Sequence, residues 1–474
     1  METTTLIRLF LFLLGASSLL GLLAFAVVSL REREPRAARV AFGLAFLTSA
    51  PFFAALALPE ELRAVIALLI LVLGGLAIGV FFLPLGSRHT AGGVPGRRVD
   101  ERDTMFARYR LEVDTPDYEA YYAMRPERQA GDDELRALPG LLSEDASLAD
   151  PRVFASARDA FARAEAMREA VNGPVASQRQ PWSADEASAE LSALALRAGA
   201  VDVGVTELRP YHVYSHVGRG TGVYGDPITL DHGFALAFTV EMDHAAMRHA
   251  PQAPVVMESA KQYVAAAEIA VEIAALIRSK GYAARAHIDG NYRVIAPLVA
   301  RDAGLGEIGR MGILLTPRLG PRVRLGVVTC ELPLGGDATP SIDSARSAHA
   351  QAVIDFCSVC RKCAEVCPSH AIPSGERAPI DDTGLRWELD PEACFRLWNR
   401  IGTDCGRCMS VCPFSHPDSV SHNVARWAIR RSGVARRVLL RLDDLFYGRH
   451  PSPLPPISER TKRKPPRPGA NGQV

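Results

Sequence analysis

Eight of the nine cysteines lie between residues 357 and 412, and their spacing is regular. The first four follow the pattern C-x2-C-x2-C-x3-C-P, and the last three repeat C-x2-C-x3-C-P after one more distant cysteine. This pattern is typical of bacterial proteins with two 4Fe-4S clusters, in which the fourth cysteine of a run binds the other cluster. We therefore predict one cluster on Cys357, Cys360, Cys363 and Cys412, and a second on Cys367, Cys394, Cys405 and Cys408.

Other uses of the cysteines are less consistent with this pattern. Structural zinc and unligated core cysteines are the competing interpretations, but neither requires eight cysteines in two matched runs. Nine cysteines in 474 residues are also too few for a small disulfide-stapled fold. The ninth, Cys330, is expected to end a strand and to act as a small buried apolar residue.

The segment ahead of the cysteines contains three long apolar stretches. Residues 9–30, 40–59 and 64–87 contain no Asp, Glu, Lys, Arg or His. A helix of about 20 residues crosses the hydrocarbon of a bilayer. A cleaved signal peptide would explain only the first stretch, and its leading residues have little positive charge. The sequence therefore predicts three transmembrane helices within residues 1–88.

The arginines predict how these helices are oriented. Four lie between the first two stretches, four more follow the third within residues 88–102, and the loop at 60–63 has one. Arginine-rich loops stay in the cytoplasm. We expect a multi-pass protein of the inner (cytoplasmic) membrane, in contact with membrane lipid, whose catalytic part faces the cytoplasm.

The remaining chain has the composition of a mixed globular protein. It is 48% apolar and 23% charged, and its formal net charge of +1 gives no reason to expect a nucleic-acid partner. Periodicity predicts helices at 184–198 and 259–280, with helical spacing also at 150–171, and strands at 201–205, 234–240 and 323–328. This mixture indicates an α+β fold.

These patterns suggest five units. Residues 1–88 contain the transmembrane helices, 89–200 form a linker and a helical part, and 201–345 form the main mixed domain. Residues 346–448 hold the cysteines, and 449–474 form a basic, proline-rich tail that is expected to be disordered. A G-x-G-x-x-G match at 304–309 is not expected to bind a dinucleotide, because a strand rather than a helix is predicted to follow it.

Several further motifs precede the cysteines in a fixed order. They are YHVYSHVGRG at 211–220, VARDAGLGEIG at 299–309, LTP at 315–317 and LGPRVRL at 319–325. Together with the cysteine runs, they resemble corrinoid-dependent reductive dehalogenases, to which the epoxyqueuosine reductases are related. The resemblance covers residues 201–448. It implies a nitroreductase-like corrinoid-binding domain followed by a ferredoxin-like domain with two clusters.

The resemblance also implies three catalytic positions. Tyr263, expected ahead of a helix and the Gly281-Tyr282 turn, corresponds to the proton donor of the family. Arg324 corresponds to its basic partner, and Asn291 to its pocket asparagine. A phenol that titrates near pH 10 becomes a usable proton donor when a fixed cation stabilises the phenolate. The alternative is that Tyr263 is an ordinary tyrosine on an amphipathic helix.

The activity implied is removal of halide from an organohalide at a cobalamin-type corrinoid whose contacts the sequence does not assign. Electrons would come from a ferredoxin, a flavoprotein or a membrane quinol, and Tyr263 would supply the proton. Two alternatives stay open: a membrane-bound iron–sulfur electron-transfer protein, and a corrinoid reductase of a non-halogenated substrate.

Overall fold

The computed structural model describes residues 3–83, 93–335, 345–379 and 384–454. Its first three helices are α1 (Thr3–Arg31), α2 (Pro35–Ala55) and α3 (Glu60–Phe82). All three are long and apolar enough to cross a membrane by length and composition. Pro51 lies inside α2, as membrane helices tolerate. Residues 84–87, which the sequence assigns to the third span, lie outside the described residues.

A group of shorter helices connects these spans to the main domain. They are α4 (Met105–Tyr109), α5 (Pro116–Met124), α6 (Pro126–Arg136), α7 (Pro151–Ala166) and α8 (Ala184–Arg197). Side chains that accept hydrogen bonds from the first-turn amides begin most of them, for example Thr104, Thr115 and Asp150. Ser183 and Glu186 form a reciprocal capping box at the start of α8, as the sequence indicates.

The main domain is built on a four-stranded antiparallel sheet. Its strands are β1 (Asp202–Glu207), β2 (Phe234–Glu241), β3 (Ala284–His287) and β6 (Val323–Cys330), in the order β1-β2-β6-β3. Phe238 lies opposite Gly326, where an added Cβ would be 2.1 Å from the ring. The aromatic ring therefore needs glycine on the neighbouring strand.

One long helix covers this sheet and forms its core. After the short helix α9 (His244–Met247), α10 runs from Ala253 to Ser279. Ile273 and Ile277 of α10 are fully buried, which stabilises the fold by about 1.5–3 kcal/mol for each side chain. The helix starts earlier than the predicted residue 259, because Pro254 occupies its first turn.

The G-x-G-x-x-G segment forms a hairpin and not a dinucleotide-binding turn. After α11 (Ala296–Asp302), β4 (Glu307–Ile308) pairs with β5 (Leu314–Leu315). An added Cβ at Gly306 would be 2.3 Å from the Leu315 carbonyl oxygen. Glycine is therefore needed at position 306 because the backbone of β5 lies too close for a side chain.

The cysteine segment is mainly helical. It contains α12 (Ala345–Cys360), α13 (Lys362–Glu365), β7 (Ala378–Pro379), β8 (Leu385–Arg386), α14 (Pro391–Ile401), α15 (Arg407–Ser410), α16 (Val420–Arg431) and α17 (Gly433–Phe446). The one-turn helices α13 and α15 each follow a residue in the left-handed conformation, Arg361 or Gly406. The two cysteine runs thus have the same local backbone conformation, a left-handed residue followed by a single helical turn.

The apolar helices pack against the end of the cysteine segment. The rings of Phe25 and Phe446 are 5.2 Å apart, and those of Phe82 and Trp427 are 5.6 Å apart. Arg449, at the start of the predicted tail, hydrogen-bonds to Glu365 and to the Cys360 carbonyl. Residues 449–454 are therefore held in place, and 455–474 lie outside the described residues.

Candidate functional site

The structure gathers the eight clustered cysteines into the two predicted groups. Cys412 interacts electrostatically with Cys357, Cys360 and Cys363. Cys408 interacts with Cys405, Cys394 and Cys367, and also with Cys363 of the first group, so the two groups adjoin. Burial raises the pKa of the Cys408 and Cys412 thiols well above the ordinary value, and the neighbouring cysteines raise them further.

Cationic side chains surround both groups. The Arg310 guanidinium is fully buried, donates from Nε to the Cys357 carbonyl oxygen at 3.0 Å, and lies 4.8 Å from the Trp387 ring centre. Lys362 is buried between Cys360 and Cys363. Arg407 interacts with Cys405 and Cys408. These positive charges would offset the negative charge of thiolate-bound iron–sulfur clusters.

Cys330 lies apart from these groups. It ends β6 in the core of the main domain, where it is fully buried and its thiol donates to the Leu332 carbonyl oxygen at 3.4 Å. Burial raises its pKa to about 12. Its position agrees with the prediction of a small core residue.

Tyr263 and Arg324 are in direct contact. The Arg324 guanidinium carbon lies 4.9 Å from the centre of the Tyr263 ring. Tyr263 is well inside α10, so the expectation that it precedes a helix is wrong, because that helix begins at Ala253. Burial raises the pKa of the Tyr263 phenol, and the positive charge of Arg324 opposes that rise. Both side chains stay partly exposed.

Asp404 and Ser259 hold Arg324 in this position. Arg324 Nη2 donates to Ser259 Oγ at 2.6 Å and to Asp404 Oδ2 at 3.0 Å, and the Ser259 hydroxyl also donates to Asp404. Asp404 directly precedes Cys405 of the second cysteine group. The Tyr263–Arg324 pair is thus connected to a cysteine loop that is 80 residues further along the chain.

Asn291 lies in the interior of the main domain. It is fully buried, and its Oδ1 accepts from Arg285 Nη2 at 2.8 Å and from the Thr221 amide at 3.2 Å. An added Cβ at Gly220 would be 2.4 Å from that oxygen, so the 211–220 motif needs glycine there. The Nδ2 group of Asn291 donates to the Arg168 carbonyl oxygen at 3.5 Å.

The residue after Asn291 interacts electrostatically with the tyrosine site. Burial raises the pKa of Tyr292 well above the ordinary value, and Tyr263 and Asp289 raise it further, whereas Arg219 and Arg324 oppose the rise. The charge on Tyr292 is therefore coupled to those of Tyr263 and Arg324. Sequence reasoning missed Tyr292, Ser259 and Asp404, and an acidic residue next to a cysteine ligand was the only available signal for Asp404.

Several known proteins are similar to parts of this chain. Residues 356–416 match the family model of a 4Fe-4S dicluster domain. The tetrachloroethene reductive dehalogenase of Desulfitobacterium hafniense is 33% identical over 203 residues, which cover 41% of this chain and 35% of that protein. A reductive dehalogenase structure said to suggest a mechanism for B12-dependent dehalogenation aligns with a TM-score of 0.54 and 27% identity, over 67% of this chain and 46% of its own.

This chain is a homologue of the reductive dehalogenases. A catabolic reductive dehalogenase structure shares the fold, with a TM-score of 0.59 and 24% identity over 77% of this chain and 48% of its own. Epoxyqueuosine reductases are also related. The predicted α+β fold with a ferredoxin-type domain and three apolar N-terminal helices is confirmed. The chain spans about a third of the length of the curated dehalogenases it matches, 35% for the one named above.

A cavity of about 770 Å³ lies where the main domain of this dehalogenase homologue meets its cysteine segment. Its apolar walls include Met105, Leu298 and Trp387, and Arg108 borders it. Gly309 lies in the wall, where an added Cβ would be 3.5 Å from Cys357 Sγ. The cavity therefore adjoins the first cysteine group. Its volume lies within the range of small-molecule and cofactor sites.

Proposed function

We propose that this protein is a membrane-anchored reductive dehalogenase that uses a corrinoid and two 4Fe-4S clusters to remove halide from an organohalide. The single observation that supports this most is the Tyr263–Arg324–Asp404 arrangement, in which a proton donor adjoins a cysteine group. Reductive removal of a halogen needs an electron source and a proton at the same place. Homologous chains named as dehalogenases support the reaction class.

Two clusters fit the thiol arrangement better than zinc does. Each predicted set of four cysteines forms one interacting group. In the part of the chain that the structure describes, no three His, Cys, Asp or Glu side chains are placed to hold a single metal ion. A cubane separates its sulfur ligands more widely than one ion does. We expect about eight iron and eight acid-labile sulfide per chain after anaerobic purification.

The cavity beside Gly309 is large enough for part of a corrinoid, and the described residues that line it do not include Tyr263 or Arg324. Its apolar walls suit the faces of a large macrocycle, and Arg108 suits amide or phosphate groups at its periphery. When bound, a corrinoid supplies a reducible cobalt centre that can cleave a carbon–halogen bond. The second cysteine group, next to Asp404, lies on the side of Tyr263. Cobalt and corrinoid analysis of the purified protein separates this proposal from an electron-transfer protein without a corrinoid.

The residues of the chain itself would handle the proton. Tyr263 holds it at Oη, and burial raises the pKa of this phenol, so that the proton stays on the oxygen at neutral pH. Arg324 stabilises the phenolate after transfer, and Asp404 with Ser259 fixes the guanidinium in place. Asn291 would act less directly, by holding the 219–222 loop through Thr221.

The packing of the apolar helices supports the proposed orientation. The loop between α1 and α2 and the end of α3 both contact α16 or α17, so these ends and the cysteine segment share one side of the membrane. The N-terminal ends of α1 and α3 also lie together, because Thr4 hydrogen-bonds to Glu60 there. These two ends are far from the cysteine segment along their helices. Positive-inside topology makes the shared side cytoplasmic. A reporter fused after Gly448 should therefore be active only if it works in the cytoplasm, and activity of a periplasmic reporter there would reverse the orientation.

The substrate would be an organohalide, and halogenated phenols are the first panel to test. One related structure of the same fold contains 3-bromo-4-hydroxybenzoic acid. Halide release from such phenols, driven by reduced methyl viologen, tests the activity directly. Corrinoid content without halide release from any compound would favour a corrinoid reductase of a non-halogenated substrate.

A further inference from the structure

Two neighbouring helices at the end of the cysteine segment expose apolar side chains along one face each. These side chains occupy positions i, i+4 and i+7 of α16 and of α17, a spacing that places them on one side of a helix. Each residue exposes between 37% and 81% of its surface. We call them the apolar stripes: Val420, Val424 and Trp427 on α16, and Val438, Leu442 and Leu445 on α17. The opposite faces of the two helices are buried in the core around the first cysteine group, through Ile429 and Leu440.

Arginines border the apolar stripes. The exposed residues of α16 and α17, helices that the structure describes in full, include Arg431, Arg437 and Arg441 but no Asp or Glu. The Arg431 guanidinium carbon lies 4.6 Å from the centre of the Trp427 ring. Tryptophan is enriched where a membrane meets water, and an apolar stripe beside arginines is typical of a helix that lies in that interface. The exposed faces of α16 and α17 therefore have the composition of interfacial helices.

The contacts of these helices place them at the membrane end of the protein. Trp427 packs on Phe82, which is the last residue of α3 and is itself 44% exposed. Phe446, at the end of α17, packs on Phe25 of α1. Phe25 lies six residues before Arg31, the end of α1, which is about 9 Å along the helix axis. The apolar stripes are therefore continuous with the apolar surface of the proposed spans, at the depth where headgroups meet hydrocarbon.

A second copy of this chain is the alternative occupant of these faces. In a twofold pairing of the same faces, Arg437 and Arg441 of one copy would lie against arginines of the other. Like charges that meet across an interface oppose association, and the core of a protein interface is depleted in charge. Phospholipid avoids this conflict, because its phosphate accepts charge-assisted hydrogen bonds from arginine while its acyl chains cover apolar side chains. The charges thus favour lipid over a second copy.

We propose that α16 and α17 lie in the membrane surface as interfacial helices and bind anionic phospholipid. The inference rests on the proposed membrane anchoring and is independent of the proposed dehalogenase activity. The apolar stripes enter the lipid beside α1 and α3, and Arg431, Arg437 and Arg441 pair with lipid phosphates. Helix α12, which ends at Cys360 of the first cysteine group, packs against both interfacial helices. The membrane contact therefore holds this cysteine group at a fixed distance from the bilayer.

The test measures which positions of the full-length protein touch lipid. The photoreactive residue p-benzoylphenylalanine replaces Val424 or Leu442, and each variant is placed in vesicles of phosphatidylethanolamine and phosphatidylglycerol. After irradiation, mass spectrometry detects the mass added by one lipid. We expect about tenfold or more lipid adduct at both positions compared with the same replacement at Val113. Val113 is the matched control, because it is as exposed as Val424 but lies before α5, in the group of short helices.

The arginines are tested by the kind of lipid captured. Phosphatidylglycerol is anionic, so its share of the adducts should exceed its share of the vesicles by about twofold or more. Arg437→Gln combined with Arg441→Gln should return this share to that of the vesicles while adducts still form. Arg163→Gln, at an exposed arginine of α7, should leave the enrichment unchanged. Adducts of the parent helices that mirror the vesicle composition would overturn the binding of anionic lipid.

Flotation of the vesicles separates this proposal from the anchoring on which it rests. A protein that floats with the vesicles but gives equal adduct yields at all three positions would overturn only the interfacial helices. A protein that does not float would contradict the anchoring as well. Adducts to a second copy of the chain would assign the faces to self-association instead. If one photoreactive variant fails to fold, the other decides, and neither readout depends on halide release.

Discussion

The cysteine segment and the tyrosine site use opposite ways of bringing reactive groups together. Three cysteines of the first group lie close together along the chain. Cys357 and Cys360 are in the last turn of α12, and Cys363 is in the short helix α13 that follows. Tyr263, Arg324 and Asp404 come from a helix, a strand and a loop, and each contact spans dozens of residues. Three of the four predicted ligands of the first cubane are therefore specified locally and the fourth, Cys412, comes from the other run, whereas the proposed proton donor depends entirely on how the two domains pack together.

This contrast predicts different failures on mutation. Loss of a cysteine ligand should remove a cofactor, whereas loss of a group at the tyrosine site should lower the rate and leave the cofactors bound.

Cys360→Ser should remove one cluster, because a cubane with three thiolates and a hydroxyl is poorly held. Iron should fall from about eight to about four per chain, and halide release should stop. Cys330→Ser is the matched control, since Cys330 lies in the core of the main domain. Equal iron contents in the two variants would contradict the ligand assignment.

Tyr263→Phe should lower the rate of halide release by about 10²–10⁴-fold, the usual contribution of proton donation. Iron and corrinoid contents should stay at the parent level. Tyr282→Phe is the control, because its hydroxyl donates to the Gln180 carbonyl oxygen elsewhere in the same domain. A Tyr263→Phe rate within about threefold of the parent would exclude the tyrosine as proton donor.

Arg324→Lys should reduce the rate by about tenfold, which is less than the loss of the tyrosine. Lysine keeps the positive charge but loses the planar fork that contacts Ser259 and Asp404 together. The ratio of the kcat values of variant and parent measures the effect. A rate as low as that of Tyr263→Phe would assign the arginine a more direct part in the reaction.

The smallest expected effect is on the pH profile. Tyr263 donates only when protonated, so the rate should fall as pH rises through its pKa. Arg324 lowers this pKa and Asp404 raises it. Arg324→Gln should therefore move the alkaline limb to higher pH, and Asp404→Asn to lower pH, each by about one unit. Shifts in the same direction for both variants would contradict this electrostatic coupling.

Regular elements were predicted well wherever local patterning was strong. The strand predicted at 234–240 is observed as Phe234–Glu241, and the helix predicted at 184–198 as Ala184–Arg197. The helices α5 and α6 were not assigned from sequence. Helix α5 is held by a cluster of buried tyrosines, and α6 has few apolar residues and is held by ion pairs such as Arg108–Asp132. Such pairs depend on distant partners, which a periodicity search does not detect.

The contacts of Asn291 were not predictable from its motif. Its Oδ1 accepts hydrogen bonds from Arg285 and from the Thr221 amide, which come from β3 and from the loop after the 211–220 motif. Such partners are distant in sequence, so the role of Asn291 in the reaction stays a prediction.

The sequence by itself determined the spacing within the two cysteine runs, the three apolar helices and the main strands. Each of these follows from spacing within a short segment, where backbone geometry alone places the side chains. Only the tertiary structure decided that Cys412 would join Cys357 and Cys360, that Asp404 would hold Arg324 against Tyr263, and that Glu32 would meet His422. These contacts join segments from different domains, and their geometry depends on packing between complete helices and strands.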